Sequence, residues 1–467
     1  MPVPVVTVAQ MRDWEERSWA AGCSVEDVMD RAGQAVAQRA VTMSRVGDRI
    51  LFLVGKGNNG GDARLAATHL LKRDNVIVDV SDPGVGLNQI KDELAQQPAL
   101  IIDGLFGIGL NRALDGDWMK MVDCINGARL PVLSVDVPSG LDANKGEPLG
   151  GSVRADVTVT FGAAKTGMLK TKAAEYTGRL EVVSQIGLID CPIKNEMAWV
   201  EADDFNGFPP DREVNGHKGD YGHLGIIAGS LGYHGAAVLA ARGAMRAQPG
   251  LITLVTPRDV HTTVASQLSQ PMVHPWSARA LEVLDQCTAL LVGPGLADEG
   301  LPAEIREKIA QLWLESSKPV IADASALDMI ERTSANCFRL ITPHPGEAAR
   351  LLGVDTATVQ ADRLAALRKL AARMGSSVVL KGHQTLVGAS EHMVSVNSSG
   401  NPHLAQGGSG DVLAGFVGGW IAQPRFQTSE MAATAVRYAV WRHGQAADRM
   451  PPQFDGWGMD ELIRHLK

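Results

Sequence analysis

Cysteine is sparse in this chain, long apolar runs are missing, and positive charge is outnumbered by negative; each deficit removes a class of function. The five cysteines, Cys23, Cys124, Cys191, Cys287 and Cys337, are odd in number and widely spaced, with no CxxC pair. That pattern argues against a disulfide framework and fits a reducing, cytoplasmic setting. The twelve histidines form no HExxH and no paired Cys/His spacing, so no zinc site is expected. No apolar stretch approaches the roughly 18 residues of a membrane-spanning helix. The first residues lack a basic region leading into a long apolar run, and Arg12, Glu15, Glu16 and Arg17 follow soon after, so neither a signal peptide nor a membrane association is expected. With 44 Lys and Arg against 52 Asp and Glu, the chain has no excess of basic charge with which to wrap a polyanion, and no nucleic-acid partner is expected.

What is present is ample material for globular cores: 45% hydrophobic residues against 21% charged in 467 residues, more chain than one core usually organises. Two domains are expected, residues 1–205 and 206–467, divided where the pattern lapses into Pro and charge around Phe208-Pro209-Pro210-Asp211-Arg212-Glu213. Before that break, apolar residues from Val25 to Val36 recur at helical spacing. Short runs follow at Ile50 to Val54, Val76 to Val80, Ala99 to Ile102 and Val132 to Val135. Strands alternating with helical patterns predict parallel βαβ units, with binding residues at the carboxyl ends of the strands. The rhythm restarts at Leu224 to Ala228, with an Ala-rich helix from Ala236, and continues through Leu251 to Val255, Ala289 to Val292 and Pro319 to Asp323. Helical sequence then closes the chain at Asp411 to Trp420, Glu430 to Asp448 and Asp460 to Leu466. Both halves are therefore read as α/β.

Three strand-end loops carry the chemistry of the first half. Gly55-Lys56-Gly57-Asn58-Asn59-Gly60-Gly61-Asp62 lies between a strand and a helix, where backbone N–H groups can hold an anion; it is neither GxGxxG nor a Walker loop. Asp103-Gly104-Leu105-Phe106-Gly107-Ile108-Gly109-Leu110 and Asp136-Val137-Pro138-Ser139-Gly140 follow two further strands. Each Asp alone could be a helix cap. Together the loops resemble the NAD(P)H-hydrate epimerase family over roughly residues 8–190. The resemblance implies a Rossmann-like three-layer αβα domain in which Asn58, Asn59, Gly60, Gly61, Asp62, Gly107, Ile108, Gly109, Leu110, Asn111, Arg112, Ala113 and Asp136 contact substrate. It also implies Asp136 as acid/base and Asn59, Asp103 and Ser139 as potassium ligands. Where this family usually has Gly after the loop Asp, Ala63 stands; a positive φ there would be strained by about 1 kcal/mol or more.

In the second half the informative stretch is Asn397-Ser398-Ser399-Gly400-Asn401-Pro402-His403-Leu404-Ala405-Gln406-Gly407-Gly408-Ser409-Gly410-Asp411. Three glycines let a turn approach a phosphate, and the helix behind them aims its N–H groups at negative charge. The plain alternative is a Gly-rich helix start capped by Asp411. The stretch resembles the ribokinase-like superfamily. The flanking motifs Gly229-Ser230, Val292-Gly293-Pro294-Gly295, Asp323-Ala324-Ser325, Thr342-Pro343-His344-Pro345-Gly346-Glu347 and Lys381-Gly382-His383-Gln384-Thr385 resemble its NAD(P)H-hydrate dehydratase branch. That resemblance implies that Ala237, Gly295, His344 and Asp411 contact the hydrated dinucleotide, that Lys381, Gly382, His383, Gln384, Thr385 and Gly410 contact a nucleotide, and that Asp411 is the catalytic base. His344, read by itself between two prolines after a strand, is more often a structural residue.

The resemblances together imply repair of hydrated NADH and NADPH: epimerisation of the R and S hydrates in one half, and ADP-dependent dehydration of the S hydrate, releasing AMP and phosphate, in the other. The implied ligands are a potassium ion, ADP with magnesium, and the hydrates themselves; a homo-oligomer is expected. Two readings of other kinds stay open at this point: an N-terminal module that only binds or dimerises, and a C-terminal kinase of a vitamin-like alcohol.

Overall fold

The run that opens the first predicted sheet alternates in burial partners, and that alternation builds three layers. In the computed structural model, which describes residues 2–334, 336–450 and 456–466, strand residues Ile50, Phe52 and Val54 face one helical layer while Leu51 and Leu53 face the other. The chain divides into two units, Met1–Trp199 and Val200–Lys467.

The first unit contains β1 (Val3–Val6), α1 (Val8–Ala20), α2 (Val25–Met43), β2 (Arg49–Val54), α3 (Asn58–His69), β3 (Asp74–Asp79), α4 (Pro83–Leu94), β4 (Leu100–Gly104), α5 (Gly116–Gly127), β5 (Val132–Val135), β6 (Val157–Phe161), β7 (Ala164–Lys165), α6 (Ala174–Thr177), β8 (Arg179–Val183) and β9 (Met197–Trp199). Its main sheet runs β3-β2-β4-β5-β6-β8, parallel throughout. Helices α2 and α3 cover one face, with Ala32, Val36 and Ala66 against Phe52, Ile102 and Leu133. Helices α4 and α5 cover the other, with Ile90, Met121 and Ile125 against Leu53 and Ile101. The strand order reverses at β2, so the ends of β2 and β4 form a crevice of the kind in which open α/β sheets bind ligands. β1 pairs separately with β7 and β9.

The second unit contains β10 (His223–Ile227), α7 (His234–Arg246), β11 (Leu251–Thr256), α8 (Arg258–Ala265), β12 (Met272–Pro275), α9 (Ala278–Asp285), β13 (Ala289–Val292), α10 (Ala303–Glu315), β14 (Val320–Ala322), β15 (Arg339–Ile341), α11 (Pro345–Leu352), α12 (Thr356–Ala361), α13 (Arg363–Met374), β16 (Ser377–Leu380), β17 (Leu386–Gly388), β18 (Val394–Val396), α14 (Ser409–Ile421), α15 (Ser429–Asp448) and α16 (Met459–His465). Within it the sheet runs β12-β11-β10-β13-β14-β15-β16-β17-β18, parallel to β16 and antiparallel beyond. The Ala-rich α7 is Ala-rich because α14 lies almost against its backbone: a Cβ at Gly415 would sit 1.8 Å from the carbonyl oxygen of Ala240. That approach seats the first turn of α14 over the sheet.

The units divide at Trp199/Val200, ahead of the break near 205 read from composition. The physical reason lies in the aromatics: Val200 and Phe205 are buried in the second unit's core, and Phe208 packs 5.0–6.1 Å from the rings of Tyr438, Phe426 and Trp420. The Pro-rich stretch is thus fastened to that unit.

Candidate functional site

In the first unit, β2 delivers the chain into the Gly-rich loop, and two glycines let that loop fold tightly onto the helix behind it. Gly55 and Gly60 lie so close that a Cβ on Gly60 would be 2.0 Å from the Gly55 carbonyl oxygen. α3 therefore begins directly beneath the loop. Asn59 and Asp62, both more than nine-tenths buried, present polar atoms with no protein partner: both side-chain polar atoms of Asn59, and Oδ1 of Asp62. Ala63 is fully buried within this helix and is not among the positive-φ residues. The strain expected at Ala63 is therefore absent, because the position is plain helix. Its methyl instead occupies the space that a side chain at Gly104 would need, 2.4 Å from a Cβ there.

Neither Asp103 nor Asp136 caps a helix. Asp103 ends β4 fully buried and accepts from Ser139 Oγ (2.6 Å), Ser139 N (2.9 Å) and Ser134 Oγ (2.8 Å). Burial nevertheless pushes its carboxyl pKa up against those hydrogen bonds. Asp136 follows β5 with φ +60°, an uncommon conformation that Asp tolerates better than most residues. Its Oδ1 accepts from Lys165 Nζ (2.6 Å) and Thr160 Oγ1 (2.9 Å), and the same ammonium reaches Thr160 Oγ1 (2.7 Å) and Phe161 O (3.0 Å). Lys165 is 1% exposed. Two more carboxyls flank this pair. Burial, then the charge of Asp136, pushes Asp62 up to about 8 and raises Glu15.

Glu15, Asn58, Asn59, Asp62, Gly107 to Arg112, Asp136 and Lys165 line one cavity of about 640 Å³, whereas Asp103 and Ser139 are fully buried outside its lining. Gly60 and Gly61 line an adjoining groove instead, and Ala113 lies outside the cavity lining. Sequence reasoning missed Lys165, Thr160 and Glu15. The one signal for Lys165 was a lone charge in the small apolar stretch Phe161-Gly162-Ala163-Ala164.

In the second unit Gly408, at φ +94°, is the N-cap of α14 and has no capping side chain, so Asp411 is not the cap. It occupies the first turn, where burial, then Asp323, push its carboxyl up to about 7 while Lys381 pulls it down. Lys381 joins the cluster: its Nζ lies 2.9 Å from Asp323 Oδ1 and 3.9 Å from Glu347 Oε2, and 3.3 Å from where a Cβ on Gly410 would be. Burial alone would lower the ammonium, yet Asp323, Glu347 and Asp411 outweigh it and raise its pKa. Thr342 Oγ1 donates to Asp323 Oδ1 at 2.6 Å. His344 caps α11, its Nδ1 accepting from Gly346 N and Glu347 N, while Glu347 accepts from His344 N; its ring remains half exposed beside the cluster. Gly295, at φ +66°, is held by Ser230 Oγ on its carbonyl. Ala237 is fully buried beneath Gly229.

The loop Lys381 to Thr385 hangs on Arg363, unremarked in the sequence. Its guanidinium donates to the carbonyls of Leu380 (3.1 Å), Lys381 (3.4 Å), Gln384 (3.3 Å) and His383, and burial pulls its pKa down to about 10. Gln384, at φ +52°, is buried with both side-chain polar atoms unpartnered.

Comparison with known proteins agrees with both halves. The family described as NAD(P)H-hydrate dehydratase matches residues 224–463, and that described as YjeF-related protein N-terminus matches 25–97 and 83–167. The bifunctional NAD(P)H-hydrate repair enzyme of Coxiella burnetii is 33% identical, covering 98% of this chain and 97% of its own. That of Escherichia coli is 32% identical over 96% and 90%. A ribokinase-like superfamily protein of Enterococcus faecalis shares the fold of the second unit, with a TM-score of 0.53 at 24% identity, covering 60% of this chain and 96% of that one. The likeness runs along nearly the whole length of these relatives and covers both units, and the chain belongs to the family of bifunctional NAD(P)H-hydrate repair enzymes.

Proposed function

We propose that the first unit, Met1–Trp199, interconverts the R and S hydrates of NADH and NADPH and that the second, Val200–Lys467, dehydrates the S hydrate at the expense of ADP. The observation that carries this reading is a buried carboxylate under the charge of a lysine ammonium in each unit: Asp136 bonded directly to Lys165, and Asp411 lowered by Lys381, whose ammonium is itself bonded to Asp323.

In the first cavity the hydroxyl-bearing ring carbon loses hydroxide to give an iminium and regains it on either face. Asp136, whose Oδ2 takes no part in the bonds that fix Oδ1, gives the departing hydroxide its proton and takes it back from the water that adds to either face, while Lys165 Nζ stabilises the carboxylate in between. Asp62, protonated near neutrality, adds a hydrogen-bond donor. Asn59 Oδ1, without a protein partner, Asp103 and Ser139 supply oxygen donors of the type a hard monovalent cation takes; a potassium ion there would hold substrate oxygens. Epimerisation is expected to be severalfold faster in potassium than in sodium-only buffer, with Asn59→Ala erasing the difference; equal wild-type rates in the two buffers would remove the ion from this site.

In the second site the hydrate's hydroxyl oxygen attacks the β-phosphorus of ADP, its proton passes to Asp411, and AMP leaves. The first-turn N–H groups of α14 and Lys381 offset the developing charge, and magnesium, bound with the nucleotide, would shield its phosphates. Phosphate then departs from the ring as the ring nitrogen's electrons push, and the adjacent carbon gives up a proton to restore the reduced nicotinamide. Arg363 positions the nucleotide loop. Arg363→Lys, which keeps charge but loses the fork, is expected to raise the KM for ADP by about tenfold with kcat little changed; lower thermal stability at unaltered KM would make the role purely structural.

Purified protein incubated with both hydrate epimers tests the whole reading. Recovery of reduced-nicotinamide absorbance only when ADP is present supports it, whereas accumulation of a stable phosphorylated alcohol would make the second unit a kinase.

A further inference from the structure

A groove of about 310 Å³ at the end of β3 has no part in the chemistry above, and its lining includes Lys56, Gly57, Arg64, Asp79 and Ser81. Lys56 and Gly57 also line the catalytic cavity, so the two adjoin across the Gly-rich turn. The same first turns of α3 carry Asn59 and Asp62, whose buried, unpartnered polar atoms belong to cavity-lining residues. Arg64 pairs with Asp79, and both remain about half exposed, at 49% and 63%.

We propose that this groove receives the adenosine half of the hydrated dinucleotide, with Asp79 accepting from the ribose hydroxyls and Arg64 meeting a 2′-phosphate where one is present. This rests on the epimerase reading of the neighbouring cavity. The hydrated ring must lie at Asp136, beyond β5. The order β3-β2-β4-β5 then sets the end of β3 three strands away, roughly 15 Å at about 4.8 Å per strand, a distance a dinucleotide spans. Between them the pyrophosphate passes the start of α3, where N–H groups favour an anion. An acid at the end of the strand after a Gly-rich turn is placed to take ribose hydroxyls, and a neighbouring Arg accommodates a 2′-phosphate. Here the two are already paired. A ribose hydroxyl can donate to Asp79 with the pair intact, while a 2′-phosphate draws Arg64 away from Asp79. One ion pair therefore lets one site accept both hydrates.

The test is epimerisation of each hydrate by the full chain without ADP, which keeps dehydration silent. Arg64→Gln is expected to lower kcat/KM for NADPH hydrate about tenfold, through KM, with NADH hydrate changed by less than about twofold. Asp79→Asn is expected to do the reverse, weakening NADH hydrate and sparing or improving NADPH hydrate. Equal effects on both hydrates, or none, overturn the assignment. If the wild-type chain epimerises neither hydrate, the epimerase reading fails, and the groove is then judged by binding alone. Calorimetric affinity for adenosine 2′,5′-bisphosphate, with ADP saturating the second unit, should fall about tenfold in Arg64→Gln; no binding to wild type, or equal binding to both, refutes it.

Discussion

Asp411→Asn is expected to cut ADP-dependent dehydration by about a hundredfold to ten-thousandfold, because Asn keeps the shape of the first turn of α14 but cannot take the hydroxyl proton. The same substitution is expected to stabilise the second unit. Burial and the neighbouring Asp323 raise the Asp411 carboxyl to about 7 from an ordinary value near 3.8. A carboxyl whose folded pKa lies above its unfolded one binds more protons in the folded state, so ionising it costs stability. That cost appears as pH rises above the unfolded value, grows to about 7 and stays constant beyond. The Asn variant should match wild type in thermal unfolding near pH 4 and exceed it by about 1 to 3 kcal/mol at pH 8. Wild-type kcat/KM should in turn rise with pH to a plateau above about 7. Near-normal turnover in the variant would remove Asp411 from the mechanism, and a pH-independent stability difference would remove its raised pKa.

The parts legible in sequence were those encoded locally. Buried parallel strands read as apolar runs, so β2, β5 and β13 lie where alternation and length put them. The Gly-rich turns were legible because a side chain there has no room: a Cβ on Gly60 would lie 2.0 Å from the carbonyl oxygen of Gly55. The short strands β15 to β18, three or four residues each, carry too little pattern to stand out from loop. What the residues themselves could not disclose was pairing at a distance. Lys165 meets Asp136 across 29 residues, and Lys381 meets Asp323 across 58. Arg363 looks like any helix-start cation until the carbonyls of the loop at 380–384 surround it. Ala63 misled for a related reason: a glycine in relatives suggested a special φ, whereas the constraint is the space shared with Gly104. Local conformation is written in the residue; contact is written in the fold.

Asp136→Asn is expected to lower epimerisation by about a hundredfold or more while leaving dehydration of the purified S hydrate unaffected. Asn is the informative choice because residue 136 sits at φ +60°, a conformation that Asn adopts readily and Ala does not. The backbone should therefore hold, but the electrostatics should not. Lys165 is 1% exposed, and with the carboxylate's charge gone the ammonium keeps only neutral acceptors, Thr160 Oγ1 and Phe161 O among them. Removing one partner of a buried ion pair typically costs about 3 to 5 kcal/mol, since the other charge is left uncompensated. Thermal unfolding of the first unit should fall accordingly. Lost activity in the single variant could then reflect partial unfolding, and the double variant Asp136→Asn with Lys165→Met separates the two causes. Met fills much of the same volume without charge, so stability should recover most of its loss. Epimerisation should remain at the level of the single variant, because the carboxyl assigned to move the proton is still absent. If the double variant regained epimerisation along with its stability, the pair would be a structural clamp between the end of β5 and β7, and the proton would have to come from Asp62, pushed up to about 8, or from Glu15, whose carboxyl burial also raises.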